Sequence, residues 1–473
     1  MTEAHAHGKQ IEEPSKEEFD ALAASMSGAL LRPSDDGYDE SRTIWNAMVD
    51  RRPLAVARCE SAADVALAIA FARDHGLLVS VRGGGHNIAG NAVCDDGLMI
   101  DLSRMNAVRV DAGAKTAKVG PGATLGDVDR ETQKHGLAVP TGINSTTGIA
   151  GLTLGGGFGW LSRKYGLTAD NLVGAELVTA SGEILRVSED SHPDLLWALR
   201  GGGGNFGVVT EFVFRLHEVG PELLSGLVVY PLEQAAKALR RYRDIASGLG
   251  DSTAVWAVLR AAPPLPFLPE EVHGKPIVAF ALCHAGEPEE GQKAIEPIRH
   301  VGQPYGEHVG VQPFAAWQQA FDPLLTPGAR NYWKSHNVVE LSDGLINLLV
   351  DYAGKLPSPH CEIFVGQLGG AINRVALDAT AYSQRDAEYV VNVHGRWETA
   401  AEDDGGIRWS RDFYNDAEQY ATGGVYVNFM TAEETDRVRA AYGGNWDRLV
   451  AVKRRYDPDN LFHMNQNIPP RQG

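Results

Sequence analysis

Short apolar stretches separated by glycine-rich turns characterise the first half of the chain. Apolar residues recur at helical spacing over residues 62–75 and 125–135, and a glycine follows each stretch, as is typical of a helix end. A short helix is predicted at 195–199. Shorter apolar runs predict strands at 77–81, 108–110, 116–119, 172–179, 184–187 and 208–215. These alternating short elements predict an α+β fold.

From about residue 221 the predicted elements become longer. Helical patterns cover residues 232–247 and 289–301. Strand-like runs lie at 254–259, 276–283, 337–341, 362–367 and 389–394. Long strands with intervening helices predict one sheet with helices on a face. After about residue 423 the chain becomes compact and polar, so we predict three segments: 1–220, 221–422 and 423–473.

The charge balance excludes several classes of protein. The chain has 473 residues, with 43 Lys and Arg against 61 Asp and Glu, so its formal net charge is −18. Its apolar fraction of 44% can form a buried core, which argues against a disordered chain. The acidic balance argues against nucleic acid as a partner, because phosphate contacts need clustered Lys and Arg.

Cysteine usage and the N-terminus predict a cytoplasmic protein. Cys59, Cys94, Cys283 and Cys361 stand far apart without zinc-like spacing, which predicts reduced thiols and no metal site. Residues 1–18 are polar and lack the apolar core of a secretory signal. No run of 18 apolar residues is present, so no membrane span is expected.

Glycine is the unusual component, with 53 residues, many of them in clusters at 83–85, 148–159 and 201–207. Glycine lets the backbone approach a ligand closely, so three clusters favour a large phosphate-bearing ligand. The alternative is a set of tight turns in a β-rich domain. A Rossmann loop is not predicted, because residues 155–160 lack the third glycine of the motif and a strand follows residues 202–207.

Several motifs together resemble one flavoenzyme family. Residues 82–87 have the sequence Arg-Gly-Gly-Gly-His-Asn, and residues 426–429 have the sequence Tyr-Val-Asn-Phe. With the later glycine clusters and residues 456–468, these motifs follow the order of the vanillyl-alcohol-oxidase superfamily, in its branch similar to berberine bridge enzyme and oligosaccharide oxidases. The resemblance spans residues 45–468. It implies a two-domain FAD-binding fold of the PCMH type, with an antiparallel sheet in the substrate domain and a C-terminal segment that returns to the FAD domain.

The resemblance also implies how FAD is held. The backbone N–H groups of residues 83–87 would form a nest around the pyrophosphate, an anion site that needs no basic side chain. His86 matches the position that is bonded to the flavin 8α-carbon in the family. The implied cofactor-binding residues are Arg82, Gly83, Gly84, Gly85, His86, Asn87, Gly148, Gly151, Gly155, Gly156, Gly157, Asn171, Gly207, Val209, Tyr426, Asn428, Asn465 and Asn467.

Several positions depart from the family pattern. Relatives with two flavin bonds carry a cysteine where this chain has Asn144, so we expect a single histidyl bond and no cysteinyl bond. Thr147 occupies a position that governs oxygen access in related enzymes, and by itself it does not predict the reactivity toward oxygen.

Alcohol oxidation on a flavin needs a proton acceptor beside the ring. Tyr426, the first residue of the Tyr-x-Asn-aromatic motif, is the candidate base, and Lys334 is the candidate cation that lowers its pKa. Gln367, on the predicted strand 362–367, is the candidate substrate contact. Arg374 stands where alkaloid-oxidising relatives carry a catalytic glutamate, so carboxylate catalysis of that type is not expected.

The resemblance thus predicts an FAD-dependent oxidase that oxidises a CH–OH group of a sugar or a hydroxylated natural product, with O2 as acceptor and H2O2 as product. Two alternatives remain open: a dehydrogenase or oxidative cyclase on the same scaffold, and a flavin-carrying protein that binds a ligand without turnover. The expected partners are a small-molecule substrate and O2, and the chain is expected to be a monomer or homodimer.

Overall fold

The structure is a computed structural model that describes residues 13–471. The prediction about a secretory signal concerns residues 1–18, of which residues 1–12 lie outside the described part. Within residues 13–471, no helix combines the length and the apolar character that crossing a membrane requires.

The first part of the chain folds into short helices and strands. Its helices are α1 (Lys16–Ser25), α2 (Tyr38–Arg42), α3 (Ala62–Asp74), α4 (Leu125–Gln133), α5 (Ile149–Leu154), α6 (Ser162–Tyr165) and α7 (Pro193–Leu199). Its strands are β1 (Ala29–Leu31), β2 (Ala55–Arg58), β3 (Val79–Arg82), β4 (Leu98–Asp101), β5 (Val108–Asp111), β6 (Thr116–Val119), β7 (Leu137–Ala138), β8 (Leu172–Val178), β9 (Ile184–Ser188), β10 (Val208–Arg215) and β11 (His217–Glu218). The side chains of Ser61 and Thr124 cap the starts of α3 and α4, which supports the helix starts inferred from the sequence.

Two small sheets contain nine of these strands and position the glycine clusters, and β7 pairs with β11 separately. One has the order β1-β2-β4-β3, with β2 and β3 parallel to β4, and the other is antiparallel with the order β5-β6-β10-β8-β9. Strand β3 leads directly into the first cluster, the second surrounds α5, and the third connects α7 to β10. The clusters therefore lie at the ends of regular elements, where the backbone is free to turn towards a ligand.

The second part of the chain contains a larger sheet and longer helices. The helices are α8 (Ala235–Ala246), α9 (Pro288–Arg299), α10 (Phe314–Gln318), α11 (Asp343–Ala353), α12 (Ala371–Arg374) and α13 (Asp403–Ala417). The strands are β12 (Glu222–Pro231), β13 (Thr253–Ala261), β14 (Pro276–His284), β15 (Gly306–Pro313), β16 (Arg330–Val338), β17 (Glu362–Gln367) and β18 (Tyr389–Trp397).

These strands form a sheet that is covered on both faces. Among the described residues its order is β15-β12-β14-β13-β17-β18-β16, and every pairing is antiparallel. One face packs against α8, α9, α11 and α13, and the other faces the first part of the chain. Because both faces are covered, β13 and β14 are buried along almost their whole length. The predicted antiparallel sheet with helices on one face is confirmed.

In the second part of the chain, one strand prediction was wrong and two strands were missed. In the first part, strands β1, β2, β4, β7 and β11 were also not predicted. The strand predicted at 337–341 is β16, which ends at Val338, and the chain then turns toward α11. Polar side chains such as Asn331 and Lys334 interrupt the apolar pattern that would have predicted β16 from the sequence. The interior of the protein tolerates them because ion pairs and hydrogen bonds satisfy their polar groups. Strands β12 and β15 were not predicted. The segment boundaries drawn at residues 220 and 422 stay a prediction.

The end of the chain packs against the third glycine cluster. It contains α14 (Val438–Tyr442) and α15 (Trp446–Tyr456). Within α15, Lys453 donates a hydrogen bond to the Asn205 carbonyl at 2.9 Å and pairs with the buried carboxylate of Asp457 at 2.6 Å. The Asn205 side chain in turn accepts a hydrogen bond from the Ile468 N–H at 3.0 Å. A buried charge pair and its hydrogen bonds thus tie residues 453–468 to the cluster.

Candidate active site

A cavity of about 400 Å³ lies between the glycine clusters and the face of the large sheet that faces the first part of the chain. Most of the predicted cofactor residues line it. They are Gly83, Gly84, Gly85, His86, Asn87, Gly148, Gly151, Gly155, Gly207, Val209, Tyr426, Asn428 and Asn465. The fold therefore gathers residues from all three clusters and from the end of the chain around one space.

The backbone around this cavity fits a flavin nucleotide. A Cβ atom on Gly84 would overlap the backbone of Gly148, so the first two clusters pack backbone against backbone. At Gly151 and Gly204, which also line the cavity, a Cβ atom would meet no described atom within 4 Å. The buried Oδ1 atom of Asn465 has no described partner. Such a cradle excludes side chains, exposes backbone to the cavity and leaves a polar atom for a ligand, as FAD requires.

His86 is half-buried at the end of the first cluster, beside an aromatic ring. Its ring stacks on Trp45, with centroids 5.1 Å apart, and its Nε2 atom is 3.2 Å from the hydroxyl of Thr146. Burial, with the charge of Arg82 acting in the same direction, lowers the pKa of His86 to about 4. The imidazole is therefore neutral at physiological pH and keeps a nucleophilic nitrogen. The sequence reasoning missed Trp45, which also donates its backbone N–H to the Gly85 carbonyl at 3.0 Å.

Asn144 stabilises the loop that faces His86. Its Oδ1 atom accepts hydrogen bonds from the backbone N–H of Thr146 at 3.1 Å and from the Thr146 hydroxyl at 2.8 Å. Asn144 thus places an amide, rather than a thiol, in the cavity lining and holds the Thr146 hydroxyl near His86. The four cysteines are buried and unbonded, and none of them lines the cavity.

Tyr426 is held in place by two hydrogen-bond donors. Its hydroxyl oxygen accepts a hydrogen bond from the Gly157 N–H at 3.1 Å and another from Asn428 Nδ2 at 3.0 Å. Burial raises the pKa of Tyr426 to about 12, although both donors favour the phenolate. Phe158 and Phe429 pack edge-on against the ring, with centroids 5.0 and 4.9 Å away. Residues 427–429 form a 3-10 turn.

The structure does not bring Lys334 and Gln367 to the cavity. Lys334 points away from the cavity face of β16 and pairs with Glu433 at 2.8 Å and Glu434 at 3.3 Å. It therefore supplies no positive charge beside Tyr426. Gln367 lies on the helix-covered face of β17, where its side chain donates to the Ala246 carbonyl at 3.1 Å. Lys334 was predicted as a nearby cation, and Gln367 as a residue of the predicted strand 362–367, without knowledge of which strand face lines the cavity.

The remaining predicted residues lie behind the cavity wall or beside it. Gly157 supports Tyr426, and a Cβ atom on Gly156 would press on the ring of Tyr382. Asn171 donates hydrogen bonds to the carbonyls of Tyr165 and Leu167. Arg82 and Asn467 also lie outside the lining; Arg82 donates to the Ser41 carbonyl, and Asn467 is half-buried.

The cavity also contains a polar row that the sequence reasoning missed. Arg260 on β13, Glu362 on β17 and His394 on β18 lie side by side in register on the cavity face. Arg260 pairs with Glu362 at 2.7 Å, and the other carboxylate oxygen is 3.4 Å from His394 Nδ1. Among the described residues, Glu362 is the only carboxylate in the lining. Arg374, where a catalytic glutamate was considered, is exposed and pairs with Asp251.

The charges in this row stabilise one another. Burial alone would raise the pKa of Glu362, but Arg260 and the hydrogen bond from His394 lower it to about 2. Burial lowers the pKa of His394, against the opposing effect of Glu362. The row therefore presents an ionised carboxylate that can accept a hydrogen bond at any working pH, although it is a weak base. The sequence gives no sign that these three residues are neighbours, because only the register of the paired strands brings them together.

Comparison with known proteins identifies the family. A family model described as an FAD binding domain matches residues 53–188, and a model described as berberine and berberine like matches residues 425–469. An FAD-linked oxidoreductase of Dictyostelium discoideum is 33% identical over 452 residues, which are 95% of this chain and 96% of that protein.

Solved structures show the same relationship. The crystal structure of 6-hydroxy-D-nicotine oxidase from Arthrobacter nicotinovorans matches with a TM-score of 0.85 and 30% identity, over 94% of this chain and 99% of that one. Glucooligosaccharide oxidase from Acremonium strictum, whose FAD is described as 6-S-cysteinyl and 8α-N1-histidyl, matches with a TM-score of 0.85 and 25% identity, over 96% and 100% of the two chains. The resemblance inferred from the sequence motifs is confirmed, and the chain belongs to the vanillyl-alcohol-oxidase superfamily of FAD-dependent oxidoreductases, in the branch that includes berberine bridge enzyme-like proteins.

Proposed function

We propose that this protein is an oxidase that holds FAD through one covalent bond to His86 and oxidises a CH–OH group of a small molecule. The observation that carries the proposal is the single cavity shared by the glycine clusters, His86, Tyr426 and the polar row. When bound, FAD supplies the two-electron acceptor: the carbon loses a hydride, the hydroxyl loses a proton, and O2 finally takes up both electrons and two protons as H2O2.

One covalent bond, rather than two, is supported by the chemistry of the lining. His86 is neutral and half-buried, with a hydroxyl near each ring nitrogen: that of Thr146 at Nε2 and that of Thr147 at Nδ1. Asn144 stands where relatives with two flavin bonds carry a cysteine, and its amide cannot form the thioether bond that a cysteine forms with the flavin. Stacking on Trp45 would restrict the orientation of the imidazole and so favour a single attachment geometry.

Tyr426 is the proposed proton acceptor. Two donors converge on its hydroxyl oxygen, so the negative charge of a phenolate would be stabilised by Gly157 and Asn428. Lys334 has no part in this proposal because it is paired elsewhere. Glu362, with a pKa of about 2, would orient the substrate through a hydrogen bond rather than take up the proton.

The proposed function can be tested with purified holoenzyme. Anaerobic mixing with a substrate should bleach the flavin absorbance, and admission of air should restore it with release of one H2O2 per substrate oxidised. Rapid bleaching followed by slow reoxidation in air would instead identify a dehydrogenase. A yellow protein that no alcohol bleaches would refute turnover at this site.

A further inference from the structure

The loop of residues 144–147 faces both ring nitrogens of His86. The hydroxyl of Thr146 lies 3.2 Å from Nε2, and the hydroxyl of Thr147 lies 3.5 Å from Nδ1. Burial lowers the pKa of His86 to about 4, so the ring is neutral at physiological pH and only one of its two nitrogens carries a proton. The hydrogen bonds of the loop decide which nitrogen this is.

The side chain of Asn144 fixes the direction of the contact between Thr146 and His86. A backbone N–H can only donate, so the Asn144 atom that lies 3.1 Å from the backbone nitrogen of Thr146 is the carbonyl oxygen Oδ1. The Thr146 hydroxyl lies 2.8 Å from the same oxygen and donates its hydrogen to it. Because its hydrogen is engaged there, the Thr146 hydroxyl oxygen can only accept from His86 Nε2. Nε2 therefore carries the proton, and Nδ1 keeps its lone pair.

Contacts from both parts of the chain hold the loop in this position. Two N–H groups at the start of α4 donate to loop carbonyls at 2.9 Å, that of Leu125 to Thr147 and that of Gly126 to Ser145. From the second part of the chain, Asp322 accepts the Ser145 N–H through Oδ1 at 2.9 Å and the Ser145 hydroxyl through Oδ2. The residue next to Thr146 is thus fixed from two sides, which keeps the Thr146 hydroxyl beside the imidazole.

We infer that Asn144 and Thr146 are positioning residues that keep the proton of His86 on Nε2, so that Nδ1 is the nitrogen bonded to the flavin. This inference rests on the proposed covalent bond. When that bond forms, Nδ1 becomes joined to the 8α-carbon, this carbon and Nε2 each lose one proton, and two electrons pass through the flavin to O2, which takes up both protons as H2O2. The residue that prevents a second flavin bond therefore directs the first one.

The wild-type holoenzyme tests the assignment directly. A protease digest would give the flavin-bound His86 peptide, and NMR would show which imidazole hydrogens lie close to the 8α-methylene group. Nδ1 lies between Cγ and Cε1, whereas Nε2 lies between Cε1 and Cδ2. A methylene group on Nδ1 is therefore close to the Hβ atoms, and one on Nε2 is close to Hδ2. We expect nuclear Overhauser effects to Hβ and none to Hδ2; an effect to Hδ2 would overturn the inference.

Substitutions in the loop test the two positioning roles. Thr146→Val removes the acceptor for Nε2–H, and Asn144→Leu frees the Thr146 hydroxyl to donate to Nε2, so each should lower the amount of Nδ1-linked flavin per protein by about threefold or more. Thr146→Ser keeps the hydroxyl and should restore the wild-type amount and the wild-type NMR pattern. Thr116→Val is the matched control, because Thr116 lies on β6 outside the cavity lining.

The outcomes separate this inference from the proposed function. Release of all flavin from acid-precipitated wild-type protein would refute the covalent bond and the inference together. A bond through Nε2 would refute the inference alone and leave the covalent bond in place. Wild-type amounts of Nδ1-linked flavin in folded Thr146→Val and Asn144→Leu proteins would refute the positioning roles. If these variants do not fold, the wild-type spectrum and Thr146→Ser decide.

Discussion

Replacing Asp129 by asparagine should make the protein more stable at alkaline pH. Asp129 lies on α4 and is fully buried; its Oδ2 atom accepts a hydrogen bond from Gln318 Nε2 at 3.1 Å, and its Oδ1 atom has no described partner. Gln318 also donates to the Gly142 carbonyl at 3.1 Å, so this buried pair supports the loop that lines the cavity. Asparagine keeps the acceptor for Gln318 and removes the ionisable group.

The magnitude follows from the pKa difference between the folded and unfolded states. Burial raises the pKa of Asp129 from 3.8 to about 7. Below pH 3.8 the carboxyl is protonated in both states, whereas between these values only the unfolded chain ionises, so stability falls as the pH rises. Each pKa unit corresponds to about 1.4 kcal/mol, which gives a loss of about 4 kcal/mol in total and about 3 kcal/mol between pH 5 and pH 8.

Urea unfolding of wild type and Asp129→Asn across pH 5–8 measures this effect. The free-energy difference between the two proteins should move in favour of the variant by about 3 kcal/mol over this range. Asp127→Asn, on the same helix, is the control: the pKa of Asp127 is lowered, since its hydrogen bonds to Thr124 and Arg130 outweigh burial, so its difference from wild type should stay flat. A flat difference for Asp129→Asn would refute the buried, protonated carboxyl.

Three further outcomes are expected. Acid-precipitated wild-type protein should keep its yellow colour, whereas His86→Ala should release flavin into the supernatant; release from the wild type would exclude the covalent bond. With Tyr426 as base, the rate of anaerobic flavin reduction should rise about tenfold per pH unit below its pKa of about 12, and Tyr426→Phe should be slower and lack this slope. Gly204→Ala should fold but retain less flavin per protein, because the added methyl group enters the cavity wall, whereas Gly250→Ala, equally open but outside the lining, should retain the wild-type content.

Local sequence patterns identified the family and much of the secondary structure. Strand 362–367 was predicted with the bounds that β17 has, because it contains a short apolar run, Ile363 to Val365, and paired glycines follow it. The glycine clusters indicated where the backbone lines a large cavity. Glycine is needed there because backbone segments such as those of Gly84 and Gly148 pack so closely that no side chain would fit between them. These signals are local, so no knowledge of the fold was needed to find them.

The assignment of side chains to faces needed the tertiary structure. Gln367 was selected from a predicted strand and Lys334 as a candidate cation, yet the strand pleat and nearby partners direct them away from the cavity. Arg260, Glu362 and His394 are far apart in the chain and meet only because strands β13, β17 and β18 pair in one register. A shift of one residue in that pairing would turn each side chain to the opposite face, so the polar row is a property of strand register that no local pattern contains.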